Sequence, residues 1–253
     1  MKIFLAEKPY KCLQGEGSLA GMPSILIRTS GCNLRCEWID SRTLEKVKCD
    51  TPYTSWESSG ELVEVDEIVK VVLELAETKI SHVILSGGEP LMIKEAVVEL
   101  CEKLWDYRFH ITIETNGTFD FGTEEFRHIL RTTHHFLPLF SISPKLGNSV
   151  PNGTPFEESH NTQRINYSVL KSLTSLAISQ LKFVVMDRLD MTEVCEIVEK
   201  LKHPKDWVFL MPEGRTYEQI RNREKEVYEL ALEFGFRYSP RLHIQVYDDK
   251  RLV

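Results

Sequence analysis

Ser24-Ile25-Leu26-Ile27-Arg28-Thr29-Ser30-Gly31-Cys32 and Val83-Ile84-Leu85-Ser86-Gly87-Gly88-Glu89-Pro90 share one pattern. In each, an apolar run with β-branched residues stops at a Ser/Gly turn that carries reactive or charged side chains. Unbroken Val/Ile/Leu runs suit strands of a parallel sheet, which helices cover on its faces. In such sheets ligands gather at the carboxyl ends of the strands, and both runs end there in chemistry-bearing residues.

Working outward, short apolar runs alternate with amphipathic segments. Strands are expected at Met1–Lys8, Phe109–Glu114, Leu137–Ser143, Leu181–Val185, Trp207–Met211 and Arg241–Tyr247. Helical spacing of apolar residues marks Asp66–Thr78, Lys94–Trp105, Ile165–Leu173 and Thr192–Leu201, and a short helix is expected at Gly122–Arg131. Tyr217–Phe234 reads as a long helix with Gly235 at the position that favours a left-handed residue. Strand and helix in alternation mean parallel strands with helical crossovers. About six such units fall short of the eight that close a full barrel. The expected fold is therefore α/β, a partial (open) parallel β/α barrel, with residues 1–253 as one domain.

The chain has 253 residues and a formal net charge of −7. A protein that grips long nucleic acid by its phosphates carries a basic excess, so nucleic acid is not the expected partner. No apolar run reaches membrane-spanning length, and Met1–Lys8 is too charged for a signal peptide. A cytoplasmic location, with no membrane partner, is expected.

Of six cysteines, Cys32, Cys36 and Cys49 crowd together with the spacing Cys-x3-Cys-x12-Cys. Clustered thiols in a reducing compartment favour metal binding or catalysis over disulfides. Soft thiolates suit an iron–sulfur cluster or zinc. Structural zinc asks for four ligands, and no histidine lies between residues 30 and 60. Cys101 and Cys195 fall in helical patterns and read as packing. Cys12 belongs to no ligand spacing. His128, His134, His135 and His243 have no evident partner, so core or surface roles are expected for them.

Gly31-Cys32-Asn33-Leu34-Arg35-Cys36 together with Gly87-Gly88-Glu89-Pro90 resembles the radical S-adenosylmethionine (SAM) superfamily. There a Cys-x3-Cys-x2-Cys loop holds a [4Fe–4S] cluster and a Gly-Gly-Glu-Pro segment contacts SAM. Here Cys49-Asp50-Thr51 looks like the displaced end of that loop, so residues 39–48 read as an insertion, an extra helix or flap over the cluster. The aromatic that precedes the third cysteine in the superfamily corresponds to Trp38, and Lys48 stands in its place. A second interruption, at 146–162, reads as a long polar loop.

Leu13-Gln14-Gly15-Glu16-Gly17, Arg28, the cysteine loop, Ser86-Gly87-Gly88-Glu89-Pro90, Glu114-Thr115-Asn116-Gly117-Thr118 and Ser143-Pro144-Lys145 occur in order. As a set, over about residues 10 to 145, they resemble the 7-carboxy-7-deazaguanine synthase family. The resemblance implies a lyase of 7-deazapurine (queuosine) biosynthesis acting on a small pterin, 6-carboxy-5,6,7,8-tetrahydropterin. It implies cluster ligands Cys32, Cys36 and Cys49, and SAM contacts from Lys48, Asp50, Gly88, Glu89, Glu114, Ser143, Pro144 and Lys145. Substrate contacts would come from Leu13, Gln14, Gly15, Glu16, Arg28 and Ser86, and Mg²⁺ would bind Thr51. It further implies a homodimer served by a reducing protein such as a flavodoxin. Two other readings remain open: an activase that makes a glycyl radical on a partner protein, and a non-enzymatic zinc-binding module.

Overall fold

Among the described residues, twelve strands account for the apolar runs. In chain order they are β1 (Lys2–Leu5), β2 (Tyr10–Leu13), β3 (Pro23–Thr29), β4 (Glu37–Ile39), β5 (Lys46–Lys48), β6 (Glu61–Glu64), β7 (His82–Gly87), β8 (His110–Thr115), β9 (Leu139–Ile142), β10 (Ser179–Val185), β11 (Val208–Pro212) and β12 (Arg237–Tyr238). The computed structural model describes residues 1–40, 43–121, 137–176 and 178–252. The helices within that set are α1 (Pro52–Ser55), α2 (Val65–Ala76), α3 (Lys94–Asp106), α4 (Glu157–Gln163), α5 (Tyr167–Leu176), α6 (Met191–Leu201), α7 (Tyr217–Phe234) and α8 (Leu242–Tyr247). The helix expected at 122–131 lies outside the described residues.

One ten-stranded sheet runs β12-β11-β10-β9-β8-β7-β3-β1-β6, with β2 also paired to β3. From β3 to β12 every pairing is parallel, whereas β1, β2 and β6 join antiparallel. The two ends, β12 and β6, do not pair with each other, so among the described residues the barrel is open, as expected.

The strands alternate more than their apolar look suggests. Ile25, Ile27, Val83, Leu85, Ile111, Ile113, Phe140, Ile142, Leu181 and Phe183 face the helices in one large core. The intervening residues face the concave side in layers. At its base His82 is hydrogen-bonded to Ser24 Oγ (2.6 Å) and Thr112 Oγ1 (2.8 Å). Above them Leu26 and Ile84, then Arg28, Ser86, Glu114 and Lys182, line an open cleft.

Two expectations need correction. Arg241–Tyr247 is not a strand: α8 begins at Leu242, with Gln245 N–H bonded to Arg241 O at 3.0 Å. Its period-two look misleads, because Ile244 is buried while Val246 is 68% exposed. Runs this short do not separate helix from strand by pattern. That edge of the sheet is instead taken by β12. The segment 146–162 is also not plain loop, since it holds a 3-10 turn at Gly147–Ser149 and the start of α4.

Burial lowers the pKa of His82 to about 4, with neighbouring His110 adding to the effect. A depressed histidine pKa favours the neutral folded form, so its stabilisation is present above pH 6.5 and lost as pH falls toward 4. Thermal unfolding between pH 7 and 4 checks this. His82→Gln is expected to show a shallower fall in Tm across that window than the unaltered protein.

Candidate active site

The cysteine loop is closed by its own insertion. None of the described residues among 39–48 is helical; Ile39 and Lys46–Lys48 belong to a β-ribbon in which Glu37 pairs with Lys48, Trp38 with Val47 and Ile39 with Lys46. One step beyond, Cys49 N–H donates to Cys36 O at 3.1 Å. The ribbon's base therefore sets Cys36 and Cys49 side by side. The ribbon is pinned at several points. Trp38 Nε1 donates to Asn148 Oδ1 (3.0 Å), Trp56 Nε1 to Cys36 O (3.2 Å), and Arg223 Nη2 on α7 to Asp40 Oδ2 (2.9 Å). Cys32, at the tip of β3, lines the same cleft as Cys36 and Cys49.

The Gly-Gly-Glu-Pro turn at the tip of β7 is locked onto this loop. Gly88 N–H donates to Thr29 O (3.1 Å) and Glu89 N–H to Gly31 O (2.8 Å). A Cβ on Gly88 would overlap the Gly31 carbonyl, and one on Gly87, at φ +134, the Thr29 carbonyl. Here only glycine fits. The Glu89 carboxylate turns inward, accepting from Leu91 N–H (3.0 Å), Thr115 Oγ1 (2.8 Å) and Asn116 N–H (2.7 Å). It ties the β7 tip to the β8 tip. Asn116 Nδ2 in turn reaches Asn33 Oδ1 at 3.0 Å.

Below the tips lies a paired set of charges. Lys182 Nζ donates to Glu16 Oε2 (2.8 Å) and Glu114 Oε1 (3.2 Å). Arg241 Nε donates to Glu16 Oε1 (3.1 Å), and its other nitrogens bond Asp50 and Gly214 O. Burial opposes ionisation of Glu16, but the Lys182 and Arg241 cations outweigh it and hold the carboxyl well below the usual range. Ser86 Oγ donates to Glu114 Oε2 at 2.7 Å. Arg28 is held by Glu7 Oε1 (2.8 Å) and the Tyr10 hydroxyl (3.3 Å). Glu16, Asp50 and His243 approach one another closely. Arg241 already bridges the first two.

Residues 26–173 match the Radical SAM superfamily. The chain is 38% identical to the 7-carboxy-7-deazaguanine synthase of Halobacterium salinarum, over 94% of this chain and 88% of that protein. With the synthase of Rhodopirellula baltica it shares 34% identity, covering 98% and 88%. The chain belongs to the 7-carboxy-7-deazaguanine synthase family of radical SAM enzymes. The crystal structure of QueE from Escherichia coli has the same fold, with a TM-score of 0.64 at 21% identity over 96% of this chain and 95% of that one. These likenesses run well past residue 145, where the motifs stop.

For a radical SAM enzyme the donor set is apt. Burial raises all three cysteine thiols, Cys32 to about 12. Thiolates in such a setting need a bound cation, and among the described residues no cationic side chain is hydrogen-bonded to their sulfurs. Leu34 N–H points at Cys32 Sγ (3.4 Å), and the Ser55 hydroxyl lies 3.1 Å from Cys49 Sγ. The residues present thus fit a [4Fe–4S] cluster bound through three thiolates.

Leu13, Gln14, Gly15, Glu16, Arg28, Lys48, Asp50, Thr51, Ser86, Gly88, Glu114, Ser143 and Lys145 line one cleft of about 1730 Å³, counting its open mouth. Glu89 and Pro144 do not line it. Glu114, expected at SAM, lies in the lumen beside Ser86, Gln14 and Lys182. Sequence reading missed Lys182, Glu213, Arg241 and His243, all of which line the cleft. Polar residues at every second place in Gln180-Leu181-Lys182-Phe183 are the signal that marks a lumen-facing strand.

Gly88→Ala is expected to displace the β3 tip and to cut iron bound after anaerobic reconstitution to under half, checked by iron and sulfide analysis. Replacing residues 40–45 with an Asn-Gly turn should leave bound iron unchanged, because Glu37, Trp38, Val47 and Lys48 still pair. The same change should lower Tm by several degrees, since Arg223 keeps only Glu213 as a buried partner.

Proposed function

We propose that this chain converts 6-carboxy-5,6,7,8-tetrahydropterin to 7-carboxy-7-deazaguanine with loss of ammonia. One observation carries the reading: three thiols at the strand tips share a cleft with a buried amide, two carboxylates and a guanidinium. When bound, the cluster and SAM supply a hydrogen-abstracting carbon radical, and this hard chemistry belongs to the cofactors.

The chain's own residues bind and orient. Gln14 and Glu16 pair with the donor edge of the aminopyrimidinone ring. Arg28, fixed by Glu7 and Tyr10, presents its remaining N–H groups to the substrate carboxylate. Thr51, whose hydroxyl makes no cap bond to α1, offers an oxygen to Mg²⁺ beside that carboxylate. Gly88, Ser143 and Lys145 at the tips, with Lys48 and Asp50, hold SAM. Glu114, linked to Ser86 and Lys182, belongs with the substrate group. Substrate less ammonia has the composition of the product, so hydrogen removed must be returned, and excluding water while the radical persists would protect it.

An anaerobic assay of cluster-reconstituted protein with SAM, a strong reductant, Mg²⁺ and 6-carboxytetrahydropterin tests this by mass spectrometry. 7-Carboxy-7-deazaguanine is the expected product, and Cys32→Ala, Cys36→Ala and Cys49→Ala should each abolish it. Neither product nor substrate-dependent 5′-deoxyadenosine from an intact cluster would sink the reading. Zinc bound without iron or sulfide would favour the metal-module alternative.

A further inference from the structure

Lys182 stands out because no motif of the family accounts for it and the cleft is built around it. Its side chain is 4% exposed, within β10 and on the lumen face, and it bonds Glu16 and Glu114 together. An ammonium carries three N–H donors, and those two carboxylates take two of them. Lys182 also lines the open cleft. Arg241 shares the Glu16 carboxylate at 3.1 Å, so Lys182 is not its sole counter-ion.

The pterin ring explains the arrangement. Along one edge, a 4-oxo aminopyrimidine offers an acceptor (O4), then a donor (N3–H), then a second donor (the 2-amino group). Its complement is a donor lying next to a carboxylate. Lys182 Nζ at 2.8 Å from Glu16 Oε2 supplies that order. We propose that Lys182 is a specificity-determining residue that donates its third N–H to the O4 carbonyl of the pterin while Glu16 accepts from N3–H and the 2-amino group. This rests on the pterin reading above. A 4-amino ring would set a donor against the ammonium, leaving both unpaired in a desolvated site. Sites built around a hydrogen bond reject the analogue that cannot make it far better than apolar pockets reject a change of size.

The test is equilibrium dialysis, under anaerobic conditions with SAM present, of cluster-loaded protein against two air-stable ligands. These are 6-carboxypterin and its 4-amino counterpart, 2,4-diaminopteridine-6-carboxylate. The unaltered protein is expected to prefer the 4-oxo ligand by about tenfold or more. Lys182→Met should cut that preference at least about threefold, the remainder coming from Glu16 opposite N3, and Lys182→Gln, which keeps a neutral donor, should lose less of it. A lysine that merely balances charge would weaken both ligands alike and leave their ratio intact. An unchanged ratio in both variants, or no preference in the unaltered protein, overturns the role of Lys182 while leaving the pterin reading standing. Binding of neither ligand overturns the pterin reading, and this inference with it.

Discussion

Two carbonyl oxygens, those of Thr29 and Gly31, occupy the space that any side chain on residues 87 and 88 would need. That steric constraint joins the tip of β3 to the tip of β7, and the site follows from it. Parallel pairing of these strands brings their ends level. Glycine then lets the two turns touch, with two backbone hydrogen bonds donated from the β7 tip to carbonyls of the β3 tip. Glu89 extends the tie to β8 through a carboxylate that accepts three hydrogen bonds. Its value is structural: the acid in the motif stitches turns together while the glycines make the surface.

The motifs at the strand ends were legible because turns demand glycine and metals demand clustered thiols. The lumen was less so. Continuous apolar runs suggested strands covered on both faces, yet only the odd-numbered residues of β3, β7, β8, β10 reach the helical core. Arg28, Ser86, Glu114 and Lys182 sit in the gaps of that pattern. The first three were found because they belong to motifs. Lys182 and Arg241 were not, since nothing local marks a lysine in a strand as paired with an acid 166 positions earlier. The ribbon was not legible, because its three cross-strand pairs, Glu37–Lys48, Trp38–Val47 and Ile39–Lys46, are too short a run to show a period. The last segment failed for the opposite reason: it alternates well and folds as a helix.

Net charge also misleads about the site. The chain carries an excess of seven negative charges, which argues against long polyanions. Yet Arg28, Lys182 and Arg241 converge on the cleft, each held by acids. Local pairing therefore sets the field a small acidic ligand meets, and the overall balance sets only what the surface repels.

The polar contacts around the cleft join residues far apart in sequence: Glu16 is ion-paired to Lys182 and Arg241, Glu7 to Arg251, and Gly17 N–H donates to Ser239 Oγ. During synthesis, the early strands can pair soon after they emerge, but the Glu16 carboxylate must wait in water for cations made 166 and 225 residues later. Contacts of such separation slow folding, because the chain must lose its loop entropy before they repay it. The cleft is thus the last part of the molecule to be finished. A polypeptide halted short of β10 would hold its cysteines and its glycine turns, yet present two buried-facing acids with nothing to neutralise them, a half-built wall open to aggregation and proteolysis.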